Sequence, residues 1–142
     1  MKKLILLIAI VFMISSSYAQ VLTLTDVPAN ISKVFVKSHP KVTTVEWAKA
    51  GDNFKANYVV DSTDRSVTYN VKGKLIETEK QISVASLPTL AIKYVNENYK
   101  DAYIKKSSQI TNANGKVTYS VVIKDVVLMF DSNGKYLKPT VK

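Results

Sequence analysis

The chain has 142 residues, of which 20 are Lys or Arg and 11 are Asp or Glu, and its formal net charge is +9. It contains one His and no Cys. These counts exclude a disulfide scaffold, a thiolate zinc site, an iron–sulfur cluster and a cysteine nucleophile, and a single His excludes most His-based metal sites. The length allows one domain, and a hydrophobic content of 46% is ordinary for a globular protein.

The first 19 residues have the pattern of a secretory signal peptide. Lys2 and Lys3 precede an unbroken apolar run over residues 4–14, and Ser17-Tyr18-Ala19 then fits the small-x-small rule of signal peptidase. The run is shorter than the roughly twenty residues that cross a bilayer. No Cys follows it, which argues against a lipoprotein anchor. We therefore expect residues 20–142 to be periplasmic or secreted, with no transmembrane anchor after cleavage.

The predicted mature chain contains a repeat of about sixty residues. Val27-Pro28 recurs as Leu87-Pro88, and each opens a segment whose apolar residues have helical spacing. After each segment the apolar period changes to two, with turn residues between the runs, which predicts antiparallel strands. The repeats are predicted over residues 27–83 and 87–142. At an offset of 61, four positions agree in type: Tyr58 with Tyr119, Val67 with Leu128, Tyr69 with Phe130 and Gly73 with Gly134.

Each repeat is predicted to form one helix followed by three to four antiparallel strands. The first helix should end at Pro40 and the second near Lys100-Asp101. Because the strands alternate apolar and polar side chains, one face of the sheet should be buried under the helices and the other should face water. The predicted fold class is α+β, a single domain with both helices packed on one face of one continuous antiparallel sheet, or of two tightly joined sheets.

The order of these features resembles the PepSY-like family of secreted bacterial proteins, also described as beta-lactamase-inhibitor-like (BLIP-like). The resemblance covers nearly the whole mature chain and implies the tandem α+β fold, an extracytoplasmic location, and binding or inhibition of another protein. It supplies no catalytic motif. The matching stretches are Val27-Pro28, Phe35, Pro40, Val45-Glu46-Trp47, Tyr58, residues 71–78, Leu87-Pro88, Tyr99, Tyr119-Ser120-Val121 and residues 130–135.

Several residues have a chemical interpretation and a simpler structural one. His39 could be a general base or a metal ligand, but a His before Pro40 also suits the C-terminal end of a helix. Glu77 and Glu79 share a strand face and could hold a cation, or they could be charges on a solvated strand edge next to Lys74 and Lys80. Residues 61–64 and 131–134 faintly resemble calcium loops, yet their residue types are the commonest turn formers. We favour the structural interpretation in each case, and no cofactor is predicted.

Two further sets of residues are assigned by pattern. The aromatic residues on the apolar period of the strands are expected to be core: Trp47, Tyr58, Tyr69, Tyr119 and Phe130. The lysines are spread along the chain instead of clustering, and the predicted export makes nucleic acid an unsuitable partner. Their positive charge favours solubility, or attraction to an anionic partner such as an acidic protein or an anionic envelope glycan or lipid.

The sheet face opposite the helices is the predicted binding surface, because it mixes small polar residues with a few apolar ones. Replacing Val122 and Met129 by Asp is expected to abolish partner binding without unfolding the domain. The residues predicted to bind a partner are Lys55, Asn57, Val59, Thr68, Asn70, Ser120, Val122, Lys124, Val127 and Met129.

Three functions remain open from the sequence. The first is a non-enzymatic exported module that binds an extracytoplasmic protein, which includes inhibitors of envelope or secreted enzymes. The second is a binder or sensor of a small or anionic envelope ligand, using a concavity between the two repeats. The third is a hydrolase with an unfamiliar site, which would need a deep pocket with perturbed carboxylates. We favour the first.

Overall fold

The computed structural model describes residues 21–138, so the predicted signal peptide lies outside the described residues. Two α-helices and nine strands account for most of this range. Neither helix is long and apolar enough to cross a membrane. The elements are β1 (Val21–Leu22), α1 (Ala29–Ser38), β2 (Glu46–Ala50), β3 (Asn53–Val60), β4 (Thr63–Tyr69), β5 (Leu75–Gln81), α2 (Thr89–Asn98), β6 (Ile104–Asn112), β7 (Val117–Ile123), β8 (Val126–Asp131) and β9 (Tyr136–Leu137).

The nine strands form one continuous antiparallel sheet in which each strand pairs with the next along the chain. Helix α1 connects β1 to β2, and α2 connects β5 to β6. Strand β5 is the last strand before α2, and it also pairs with β6, the first strand after α2. The predicted α+β class, with helices on one face of an antiparallel sheet, is confirmed.

The two helices begin in the same way. A single 3₁₀ turn precedes each of them, at Leu24–Asp26 and at Val84–Ser86. Pro28 and Pro88 then stand at the helix starts with φ of −53° and −56°, the values to which the proline ring is restricted. The apolar residue before each proline is buried, so the chain is anchored to the core where the helix begins.

Each helix covers its own hydrophobic core, and the two cores share no residue. The first is built around Phe35 of α1, which meets Trp47 and Tyr58 edge-on at centroid distances of 5.5 and 5.4 Å. The second is built around Phe130 of β8, against which Tyr94 of α2 packs edge-on at 5.7 Å. The aromatic residues that were predicted to be core therefore lie in or at the margins of the two cores. Trp47, Tyr69 and Phe130 are buried, and Tyr58 and Tyr119 are half-buried at the core margins.

Three expectations about single elements differ from the structure. Helix α2 ends at Asn98, two residues early, because Tyr99 leaves the helical conformation with φ −130° and ψ 60°. Short edge strands β1 and β9 were not predicted. Strand β5 lies in the middle of the sheet, paired with β4 and β6, so its carboxylates are not charges on an edge.

The turns after β4, β6 and β8 share one pattern of side-chain to backbone hydrogen bonds. The side-chain oxygens Oδ1 of Asn70, Asn112 and Asp131 each accept two backbone N–H bonds from the residues two and four positions later. Such bonds fold the chain back on itself without an ion. Residues 131–134 therefore form a self-capped turn, and Asp61 and Ser62 form the β3–β4 turn with positive φ values of 51° and 57°.

Candidate functional site

The sheet face without helices carries a floor of small polar residues. Ser66, Thr68, Ser108 and Ser120 are 5%, 5%, 1% and 8% exposed, although no described helix covers them. The register explains their burial, since Ser108 lies between Gln81 and Ser120, and Ser120 lies between Ser108 and Met129. Longer side chains on neighbouring strands close over the short ones. We call this surface, on strands β2 to β8, the open face.

An ion pair crosses the floor of the open face. Lys55 Nζ on β3 lies 2.8 Å from Glu79 Oε2 on β5, with β4 between them. Adjacent strands are separated by about 4.8 Å, so the two long side chains must span two such spacings. They meet on a diagonal, since Lys55 pairs with Thr68 and Glu79 with Ser66, and both of these β4 residues are short. The Ser66 hydroxyl lies 3.4 Å from the same carboxylate oxygen and donates to it. The pair covers Ser66 and fixes three strands relative to one another.

Glu79 is ionised more readily than an ordinary carboxylic acid. Burial by itself disfavours its charge, but the hydrogen bond and charge of Lys55, with the charge of Lys106, outweigh burial and hold the pKa below its usual range. The Ser108 hydroxyl faces the same carboxylate and helps to lower the pKa, although it makes no hydrogen bond of good geometry. A lowered pKa makes Glu79 less suited to general acid or base catalysis at neutral pH, for which the best pKa lies close to the working pH.

Replacing Glu79 should therefore cost stability at neutral pH and little in acid. A carboxyl whose pKa is lowered by folding contributes stability above its unfolded pKa, and that contribution is lost as the pH falls through the folded pKa. For Glu79→Gln we expect the free energy of unfolding to fall by about 1–2 kcal/mol at neutral pH, typical of a lost charged hydrogen bond. Urea unfolding at about pH 7 and pH 3 measures this loss. The difference in free energy of unfolding between wild type and Glu79→Gln should be smaller at the lower pH.

Glu77 provides the matched control, because it lies on the same strand and face and makes no ion pair among residues 21–138. Glu77→Gln should change stability by less than about 0.5 kcal/mol. Equal losses in the two variants, or a Glu79→Gln loss that is the same at both pH values, would contradict the assignment of the ion pair.

A cleft of about 660 Å³ opens at one end of the open face. The segment before β2, residues 41–44, forms one wall, and Lys55, Asn57 and Val59 of β3 form part of the other. The charged residues at its border are Lys41, Glu46, Lys55, Asp64, Arg65, Glu79 and Lys106. Charges of both signs line the cleft, and it is open to solvent, so a protruding polar group of a partner could enter it.

The predicted binding residues divide into four groups. Lys55, Asn57 and Val59 border the cleft. Val122, Val127 and Met129 lie together on β7 and β8, where Val122 pairs with Val127. Two members are corrected in their exposure, since Thr68 and Ser120 are buried in the floor. Two are corrected in their position, because Asn70 caps the turn after β4 and Lys124 lies in the β7–β8 turn with φ 51°.

His39 has a local structural role. It closes the C-terminal end of α1, where its ring stacks on Phe35 at 4.7 Å and 17° and lies 5.0 Å from Tyr58. Its Nδ1 lies 3.2 Å from the Phe35 carbonyl oxygen, to which it donates when it carries the proton. Within residues 21–138, no group of three or more His, Asp or Glu side chains could hold a metal ion.

Sequence reasoning missed the residues that organise the open face. Glu79 was considered only together with Glu77, as a possible cation-holding pair, and neither its ion pair with Lys55 nor the contribution of Ser66 and Lys106 was predicted. The signal was present in the alternation of β5, which places Glu77 and Glu79 on one face. It could not be used because the pairing of β5 with β4 and β6 depends on how all the strands align in the sheet.

No protein-family model matches the chain, and no curated protein is significantly similar to it. Solved structures do match. A candidate periplasmic protein from Bacteroides eggerthii DSM 20697 is 11% identical, with a TM-score of 0.69 over 78% of this chain and 86% of the other. A DUF2874 family protein from Bacteroides uniformis ATCC 8492 is 12% identical, with a TM-score of 0.67 and coverages of 78% and 86%. A BLIP-like protein from Bacteroides fragilis NCTC 9343 is 20% identical, with a TM-score of 0.60 and coverages of 78% and 83%.

The fold is BLIP-like. At these identities the likeness concerns the backbone arrangement alone, and it does not carry binding residues from one protein to another. In this chain the two helices pack on one side of the nine-stranded sheet, and no described helix covers the other side. In this chain the open face carries the ion pair Lys55–Glu79 over a floor of small polar residues.

Proposed function

We propose that this protein is an exported, non-enzymatic module that binds another extracytoplasmic protein through the open face. The observation that carries the proposal is the organised floor of that face, where small polar residues are buried without a helix and a bridging ion pair joins three strands. A surface held rigid before binding loses little conformational freedom when a partner docks. The BLIP-like fold and the periplasmic description of the Bacteroides eggerthii protein support an extracytoplasmic binding role.

The open face also has apolar anchors for a partner. Val59 and Val127 are 60% and 58% exposed, and Val122 and Met129 are half-buried beside Val127. Apolar groups among satisfied polar ones are the usual composition of a protein interface. Residues 20–142 contain 18 Lys or Arg and 11 Asp or Glu, and this net charge of +7 favours a partner with an acidic surface, whose approach the lysines would accelerate at low salt. An inhibitor of an envelope or secreted enzyme would act in this way, by covering the enzyme's surface.

The test is affinity capture with matched baits made from residues 20–142. One bait carries Val59→Asp and Val127→Asp on the open face, and the control carries Val36→Asp and Leu90→Asp on α1 and α2. All four positions are more than half exposed, so the variants should fold alike. On the open face, Val59 and Val127 are better test positions than Val122 and Met129. Because Val122 and Met129 are half-buried, Asp at those positions could unfold the domain, and a loss of binding would then be ambiguous.

We expect wild type and the helix variant to retain one protein at near-equal stoichiometry at both low and high salt. The open-face variant should retain at least about tenfold less, as expected when charges enter the centre of an interface. Equal retention by all three baits, retention lost only in the helix variant, or capture that vanishes at high salt would contradict docking through the open face. The last result would favour association with an anionic glycan or lipid.

A further inference from the structure

A groove of about 350 Å³ lies on the helix-covered side of the sheet, between the two cores. Its lining comes from the central strands β4, β5 and β6, where the cores leave polar side chains uncovered. The side chains that matter for its chemistry are Tyr58, Arg65, Thr78, Lys80, Gln109 and Thr111. The groove is on the side of the sheet opposite to the open face, since Tyr58 packs on Phe35 of α1 and is directly paired with Arg65.

Two positive charges stand directly opposite each other in this groove. Arg65 on β4 and Lys80 on β5 are cross-strand partners, and like charges in that arrangement repel and destabilise a sheet. Within residues 21–138 the ion pairs are Lys55–Glu79 and Lys93–Glu97, so neither cation is neutralised by an acid. Glu79 also borders the groove, but its carboxylate is already bound to Lys55.

Arg65 has an unused hydrogen-bond donor. Its Nε is buried from solvent and has no hydrogen-bond partner. A buried donor without an acceptor costs free energy, and native proteins rarely tolerate one without a reason. Repulsion and a missing acceptor at the same place would both be relieved by one negatively charged group.

We propose that this groove binds a small anion through a carboxylate or phosphate group. Arg65 supplies the planar guanidinium that recognises both groups by paired hydrogen bonds, and Lys80 supplies a second charge. Tyr58, Thr78, Thr111 and Gln109 add neutral donors around it. The volume suits a small molecule. Arg65 and Tyr58 also border the open-face cleft, so the groove and the cleft are neighbouring sites that share these two residues.

The direct test follows the Arg65 Nε–H resonance by ¹⁵N NMR while residues 20–142 are titrated with inorganic phosphate or with acetate at constant ionic strength. We expect a saturable shift, and the anion that gives it at lower concentration identifies which group the site prefers. Arg65→Gln and Lys80→Gln, followed by backbone amides of β4 and β5, should each weaken binding at least tenfold. Lys116→Gln, in the exposed β6–β7 turn, should leave it unchanged.

A linear, unsaturated response to both anions up to about 50 mM would overturn the proposal, because a cationic site of this kind should bind more tightly than surface charges. So would equal affinities in the wild type and Arg65→Gln, or a matching loss in Lys116→Gln.

Thermal stability gives a second readout that a purely structural role would not produce. Without added anion, Lys80→Gln should raise Tm, since it removes the repulsion with Arg65. The same variant should lose the increase in Tm that the preferred anion gives the wild type. A fall in Tm for Lys80→Gln in anion-free buffer would show that the two charges are not in conflict and would overturn the inference.

Discussion

Gly134→Ala should be strongly destabilising although it adds a single methyl group. Gly134 lies in the turn between β8 and β9 with φ +86°, and the turn packs beneath the start of α2. A Cβ at this position would come within 2.7 Å of Pro88 Cβ and 2.8 Å of the Ala91 backbone nitrogen. The backbone conformation costs a non-glycine residue about 1–2 kcal/mol and the clash a similar amount, so we expect a loss of about 3 kcal/mol in the free energy of unfolding.

Gly115→Ala separates the two causes. Gly115 has nearly the same φ, +80°, but a Cβ there would have nothing within 4 Å. Urea unfolding should show a loss of about 1 kcal/mol for this variant, which is the conformational part alone. If the two variants lose the same stability, the contact between the β8–β9 turn and α2 is not as close as the structure has it.

Phe35→Ala should loosen one half of the molecule more than the other. Phe35 is 1% exposed and is the centre of the first core, so its truncation should cost about 3–5 kcal/mol. Because the two cores share no residue, the loss should be transmitted to the second only through the ladder between β5 and β6. Amide hydrogen exchange should therefore rise most in α1, β3 and β4, and less in α2, β7 and β8.

Phe130→Ala is the reciprocal experiment, since Phe130 is fully buried in the second core. It should raise exchange most in α2, β7 and β8. A uniform rise over both halves in both variants would mean that the sheet unfolds as one unit and that the two cores do not have separate stabilities.

The general architecture could be predicted from the sequence because it depends on the local spacing of apolar residues. The alternation of apolar residues and the Pro-led helical segments each depend on residues a few positions apart. The offset of 61 that pairs Tyr58 with Tyr119 also pairs Gly73 with Gly134, and all four positions occupy comparable places in the structure. The alternating pattern was wrongly continued to Asn70 and to Lys124, which lie just beyond the ends of β4 and β7. The Asn70 side chain caps the turn after β4, and Lys124 has a positive φ that ends β7.

The organisation of the two candidate sites could not be predicted in this way. The ion pair joins residues 24 positions apart and needs a small residue between them on a third strand. The opposition of Arg65 and Lys80 depends on the register of the β4–β5 pairing, which shifts between Thr68 and Tyr69. Such relations follow from how the strands align in the folded sheet, and no local period in the sequence encodes them.

The central claim is that a partner protein covers the open face, and methyl cross-saturation NMR measures this directly. The mature chain, methyl-labelled and otherwise deuterated, is mixed with the protonated partner that the capture identifies. Saturation transferred from the partner should reduce the signals of Val59, Val122, Val127 and Met129, and leave those of Val36 and Leu90 on the helices unchanged. Loss of signal at Val36 and Leu90 with the open-face methyls unaffected would contradict the account.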